Sequence, residues 1–178
     1  MAERYVVIPI FVPHEGCPFD CIFCNQNGVR TIELGVQSLD EGVLKASGRG
    51  HSAEDVYRAS ALILEKGFRL GLQTMVGLPE DTREKDVYTA GKDINLKPAF
   101  VRIYPVLVIR GTYLEKLLLG GSYIPPSLEE AVGICAELLE TYEAAGIKVI
   151  RMGRQSSRGI SEGSEVVAGR CIQPSNRN

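Results

Sequence analysis

The chain has 178 residues, 44% of them hydrophobic and 24% charged, and its 20 Lys and Arg against 22 Asp and Glu leave a formal charge of −2. That composition suits one globular domain and excludes disordered, collagen-like and coiled-coil classes. It also supplies no overall basic field for gripping nucleic acid through its phosphates.

Tyr5 to Val12 reads as a first buried strand. The apolar stretch Tyr5–Pro13 contains two prolines and falls well short of the roughly 20 residues of a membrane helix. No basic, apolar and small-residue leader precedes it, so a cytoplasmic location without membrane contact is expected. Val29–Val36 reads as a second strand, and Ser38-Leu-Asp-Glu41 as the capping box of a short helix. Ser52-Ala-Glu-Asp55 opens the next helix, which stops at Gly67. Arg69–Val76 is a third strand, Asp81–Asn95 a more polar helix, and Phe100–Val108 a fourth strand. Ser127-Leu-Glu-Glu130 caps a helix whose apolar face runs through Leu128, Ala131, Val132, Cys135, Leu138, Leu139 and Tyr142, and Ile147–Met152 is a last strand. This alternation predicts an α/β fold, a mostly parallel sheet covered by helices.

The domain is expected to span residues 1–153. An irregular C-terminal tail is expected over 154–178, where Ser, Gly, Arg and Asn dominate. From Arg151 onward the chain carries five Arg and two Glu, a solvated basic stretch attached to an acidic body.

Five cysteines are an odd number, and Cys17, Cys21 and Cys24 crowd into eight residues, which argues against a disulfide framework and for metal. Three thiolates can hold three irons of a cubane cluster and leave the fourth iron open. Alternatively, His14 completes a Cys3His zinc site in a structural module. Cys135 falls on an apolar helix face and reads as core, while Cys171 sits idle in the tail.

The run Cys17-Pro-Phe-Asp-Cys21-Ile-Phe-Cys24, an aromatic residue preceding the last cysteine, resembles the signature of the radical S-adenosylmethionine superfamily. Glu33-Leu-Gly-Val-Gln-Ser38, Gly48-Arg-Gly-His51, Gly77-Leu-Pro79 and Arg102-Ile-Tyr-Pro105 resemble, in order, segments of the Elongator catalytic subunit's radical domain and its bacterial relatives. Oxygen-independent coproporphyrinogen oxidase is similar at a greater distance.

The resemblance implies an incomplete (partial) βα barrel of mostly parallel strands with outer helices. It implies a [4Fe-4S] cluster on Cys17, Cys21 and Cys24, with S-adenosylmethionine on the open iron and Phe23 against its adenine. Gln37 and Arg49 would reach the ribose or carboxylate, and Gln73 stands where relatives often place an Asp for the ribose hydroxyls. His51 is expected to donate a hydrogen bond at a helix start. The resemblance further implies a flavodoxin- or ferredoxin-type reductant and tRNA as substrate, and it names no catalytic side chain. Acetyl transfer is not carried over, because nothing in these residues resembles the acetyltransferase domain.

One departure concerns topology. About two or three βα units, at roughly 30 residues each, are missing between Gln26 and Val29. The flanking strands are expected either to become neighbours or to leave a slot with free edges, through which the chain would self-associate. A non-catalytic iron–sulfur fragment is the alternative function.

Overall fold

The computed structural model describes residues 8–10, 30–153 and 166–169. In chain order its strands are β1 (Ile8–Ile10), β2 (Thr31–Gln37), β3 (Arg69–Val76), β4 (Phe100–Pro105), β5 (Val108–Ile109), β6 (Lys148–Met152) and β7 (Val166–Ala168). Its helices are α1 (Glu41–Ala46), α2 (Ala53–Glu65), α3 (Arg83–Asn95), α4 (Tyr113–Leu119) and α5 (Leu128–Ala144). Five strands form one sheet in the order β1-β2-β3-β4-β6, and every pairing within it is parallel. The α/β architecture of parallel strands with outer helices is therefore present.

Period two along the strands explains which residues are buried where. Leu34 and Val36, Leu70 and Leu72, and Val101 and Ile103 point to one side. There they pack against Val56 and Ile63 of α2 and Cys135, Leu138 and Tyr142 of α5. Removing each of these large aliphatic side chains from water contributes about 1.5–3 kcal/mol, so this face holds the domain together. A parallel sheet covered by helices on both faces would be apolar throughout. The alternation here leaves the other face polar, and that face carries the site.

Local chemistry sets the helix ends. Ser52 and Asp55 cap α2 reciprocally, Ser127 and Glu130 do the same for α5, and both helices stop where Gly67 and Gly146 take left-handed backbone. The capping box expected at Ser38 does not form. Asp40 caps α1 by accepting from Val43 N, because Ser38 Oγ instead accepts from Asp40 N at 3.2 Å. The polar helix starts at Arg83 rather than Asp81, with Thr82 as its cap.

The fourth strand is shorter than expected. It ends at Pro105, and Val108–Ile109 pairs antiparallel with β7 in a separate two-stranded ribbon. β7 lies inside the range 154–178. Helix α4, which no sequence pattern announced, buries no residue fully and leans Leu114, Leu117 and Leu118 on Val43, Leu78, Val106, Val108 and Tyr123.

The missing βα units leave no slot, because β1 pairs directly with β2, Ile8 opposite Ile32 and Ile10 opposite Leu34. Among the described residues no helix is long and apolar enough to cross a membrane.

Candidate functional site

All five sheet strands run the same way, so their C-terminal ends form one rim. Gln37, Met75 and Tyr104 stand at or near that rim, with Gly35, Gln73 and Arg102 one row deeper in register. Functional groups gather at this end of βα folds because the loops there vary without disturbing the sheet.

Gln37 is the most constrained of them. It is 2% exposed, takes φ 65° and follows a bulge between Gly35 and Gln37. Its side chain folds back along the strand, so that a Cβ on Gly35 would stand 2.6 Å from Gln37 Nε2. Oε1 of the same amide is buried with no hydrogen-bond partner. The backbone is pinned from both sides. Ser38 N donates to Val36 O at 2.8 Å, and Leu39 N donates to Thr89 Oγ1 of α3 at 3.1 Å. His51 Nε2 donates to Val36 O at 3.2 Å, so this histidine ties the segment after α1 to the end of β2.

Arg49 reaches the rim from the turn after α1. Its Nη2 lies 3.4 Å from Met75 Sδ, a weak acceptor, and among the described residues no carboxylate stands within ion-pair distance of it. Burial pushes its pKa below the usual arginine value. Gln73 shares its strand face with Met75 and registers between Gly35 and Arg102. Gln37, Arg49 and Gln73 are thus brought to one end of one face. Cys17, Cys21, Cys24, Phe23, His14 and Cys171 lie outside the described residues. Among the described residues no three His, Cys, Asp or Glu side chains meet to hold a metal ion.

Deeper on the same face lies a charged cluster that the sequence reading did not single out. Glu33, 6% exposed, has Oε1 3.4 Å from Arg102 Nε. Arg102 Nη1 donates to Tyr104 Oη at 3.4 Å, and its guanidinium sits 6.0 Å from the centroid of Phe100. The Phe100 ring occupies the space that a side chain at Gly71 would need. Burial raises the pKa of Glu33, opposed by the attraction of Arg102 and then of Arg151. The available signal was the alternation itself. Residues 33, 35 and 37, residues 71, 73 and 75, and residues 100, 102 and 104 interleave with the apolar core positions.

The face fits a polar, zwitterionic cofactor such as S-adenosylmethionine. Among the described residues it offers a buried acceptor without a partner in Gln37 and guanidinium donors without a carboxylate in Arg49. A second amide, that of Gln73, lies beside them.

Comparison with known proteins agrees with this layout. The family model for the Radical SAM superfamily matches residues 25–92, and that for the Radical_SAM C-terminal domain matches residues 98–176. A tRNA uridine(34) acetyltransferase of Methanocaldococcus infernus is 35% identical over 113 residues, covering 60% of this chain and 21% of that protein. The Elongator complex protein 3 of Homo sapiens is 34% identical over 116 residues, covering 63% of this chain and 21% of that protein. This chain therefore spans about a fifth of the length of those relatives. Among solved structures, the archaeal Elp3 of Methanocaldococcus infernus superposes with a TM-score of 0.65 at 26% identity, covering 79% of this chain and 36% of that one. Coproporphyrinogen III oxidase (HemN) from Escherichia coli shares the fold, with a TM-score of 0.53 at 20% identity over 67% of this chain and 27% of that one. With two consecutive family matches on a parallel sheet whose rim holds Gln37, Arg49 and Gln73, the chain belongs to the radical S-adenosylmethionine superfamily and has Elongator subunits among its relatives.

Proposed function

We propose that the chain is a radical S-adenosylmethionine enzyme that acts on tRNA in the cytoplasm and draws its electron from a flavodoxin- or ferredoxin-type reductant. Cys17, Cys21 and Cys24 would hold a [4Fe-4S] cluster, and Phe23 would flank the adenine of the cofactor. Bound together, cluster and cofactor supply reductive cleavage of the sulfonium to methionine and a 5′-deoxyadenosyl radical.

The remaining work falls to the polar face. Gln37 Oε1, buried without a partner, accepts from a ribose hydroxyl. Arg49, whose only hydrogen bond within the described fold goes to a thioether, donates to the cofactor's carboxylate in the forked geometry that guanidinium favours. Gln73 accepts one further ribose hydroxyl. Helices α2 and α5 cover the opposite face, which leaves the polar one as the side that would receive the cofactor.

The observation that carries this reading is the buried, left-handed Gln37 with its unpaired acceptor. Strain and an unpaired polar atom persist together where a ligand completes the site.

The test is anaerobic reconstitution with iron and sulfide, followed by electron paramagnetic resonance of the reduced protein with and without S-adenosylmethionine. A cluster signal that shifts on adding the cofactor is expected, together with methionine and 5′-deoxyadenosine as products. Gln37→Ala and Arg49→Ala should each raise the cofactor concentration at half-shift about 10-fold, the equivalent of roughly 1.4 kcal/mol.

One observation favours a second reading, the non-catalytic iron–sulfur fragment. The direct pairing of β1 with β2 removes the units that in relatives carry the motif for the cofactor's amino group. A cluster signal indifferent to cofactor, with neither product formed, would select it. A colourless protein that binds zinc would defeat both.

A further inference from the structure

The geometry points to an oxyanion subsite centred on Arg102, deep on the polar face, that receives a carboxylate or phosphate group of the substrate. Its assignment to the substrate rests on the proposed function, whereas the binding of an anion there does not.

Two cations face each other across β4 and β6. Arg102 of β4 and Arg151 of β6 are cross-strand partners in register, so their side chains leave the sheet on the same side. Like charges directly opposite one another destabilise a sheet. Glu33 is the carboxylate on which both guanidinium groups act. Among the described residues, Glu33 is the carboxylate that stands within ion-pair distance of Arg102.

The bonding of Arg102 is also incomplete. Its side chain is 20% exposed, yet Nε is buried with no hydrogen-bond partner. Glu33 Oε1, 3.4 Å away, makes an ionic contact without hydrogen-bond alignment. The bond to Tyr104 Oη is long at 3.4 Å. A guanidinium carries five N–H donors in a rigid fork, and desolvating it without partners is costly unless an acceptor completes it.

Finally, the group is held in place. The Phe100 ring fills the space over Gly71 and lies beneath the guanidinium, with Tyr104 on one side and Glu33 on the other. A fixed fork loses little freedom on meeting a planar carboxylate or a phosphate, which favours two-point recognition. Gln73, directly across from Arg102, is neutral. A carboxylate there would neutralise Arg102, and the amide leaves it available.

Glu33 then acts as a competitor. An incoming anion displaces the loose Glu33 contact, so removing the charge at 33 should improve anion binding.

The test uses the reconstituted full chain and isothermal titration with inorganic phosphate and, separately, acetate, at ionic strength held constant with chloride. One-site saturation by at least one of them is expected, and the tighter of the two identifies phosphate or carboxylate as the natural group. Arg102→Gln should weaken binding about 10-fold or more. Arg102→Lys, which keeps charge and loses the fork, should fall between. Glu33→Gln should tighten binding several-fold, a gain that misfolding does not produce. S-adenosylmethionine should leave the affinity unchanged. Absence of saturation above the chloride background overturns the subsite, as does an Arg102→Gln affinity within twofold of the parent. Weaker binding by Glu33→Gln overturns it also. Displacement of the anion by S-adenosylmethionine would overturn its assignment to the substrate. Because the titration needs no turnover, a protein inactive in radical chemistry can still pass it, and the two readings fail separately.

Discussion

Holding a non-glycine residue in left-handed backbone costs about 1–2 kcal/mol, and Gln37 does so at φ 65°. Gln37→Gly should therefore raise the thermal midpoint while abolishing the cofactor-dependent shift of the cluster signal. Gln37→Ala keeps the strain and loses the amide, so it should lose the shift without gaining stability. Glycines on the polar face divide in the same way. Alanine at Gly35 meets the side-chain amide of Gln37, so displacing that amide makes cofactor affinity the sensitive quantity. Alanine at Gly71 meets the packed Phe100 ring and should cost roughly 1–3 kcal/mol of stability in denaturant titrations. The Gly-Val-Gln motif identified Gln37, but nothing in those letters announces its backbone. Glu33 was hidden for a different reason. A carboxylate within an apolar strand makes sense only once one face of the sheet is known to be polar.

Between helices α3 and α5, Tyr142 Oη donates to Asp93 Oδ2 at 2.7 Å. Burial pushes the Asp93 carboxyl up from its ordinary 3.8 to about 7. On α3 as well, burial and then the neighbouring Asp81 push Asp86 up to about 9. The folded chain thus binds these protons more tightly than the unfolded chain. Their contribution is fully present below about pH 4 and is lost as pH rises, to about 7 for Asp93 and about 9 for Asp86. At about 1.4 kcal/mol per pH unit between the two values, Asp93 alone bounds the loss at about 4 kcal/mol. In thermal melts from pH 5 to 8, Asp93→Asn should flatten the decline and leave the portion due to Asp86. The helices themselves were legible in the sequence, since capping boxes such as Ser52 with Asp55 and Ser127 with Glu130 are decided within four residues. The end of β4 was not. Val106, Leu107 and Val108 continue its apolar run, and only the pairing of Val108 with Ala168, sixty residues on, reveals that the chain has changed sheet.

At the scale of the whole molecule, the order and direction of the strands follow from the alternation of elements, whereas the neighbour of β1 does not. Ile8–Ile10 pairs in parallel with Ile32–Leu34, and residues 11–30 separate the two strands in the sequence. A parallel crossover takes a dozen or more residues, and this stretch also contains Cys17, Cys21 and Cys24. On the proposed function the sequence between these two strands binds the iron, which would link loading thermodynamically to the pairing of β1 with β2. Amide exchange at Ile8 and Ile10 should be slow in the reconstituted protein and fast after chelation, while β2 and β3 keep their protection in both states. In a cell short of iron, such a chain would leave synthesis with its first strand loose, and metal supply would govern its lifetime as well as its activity.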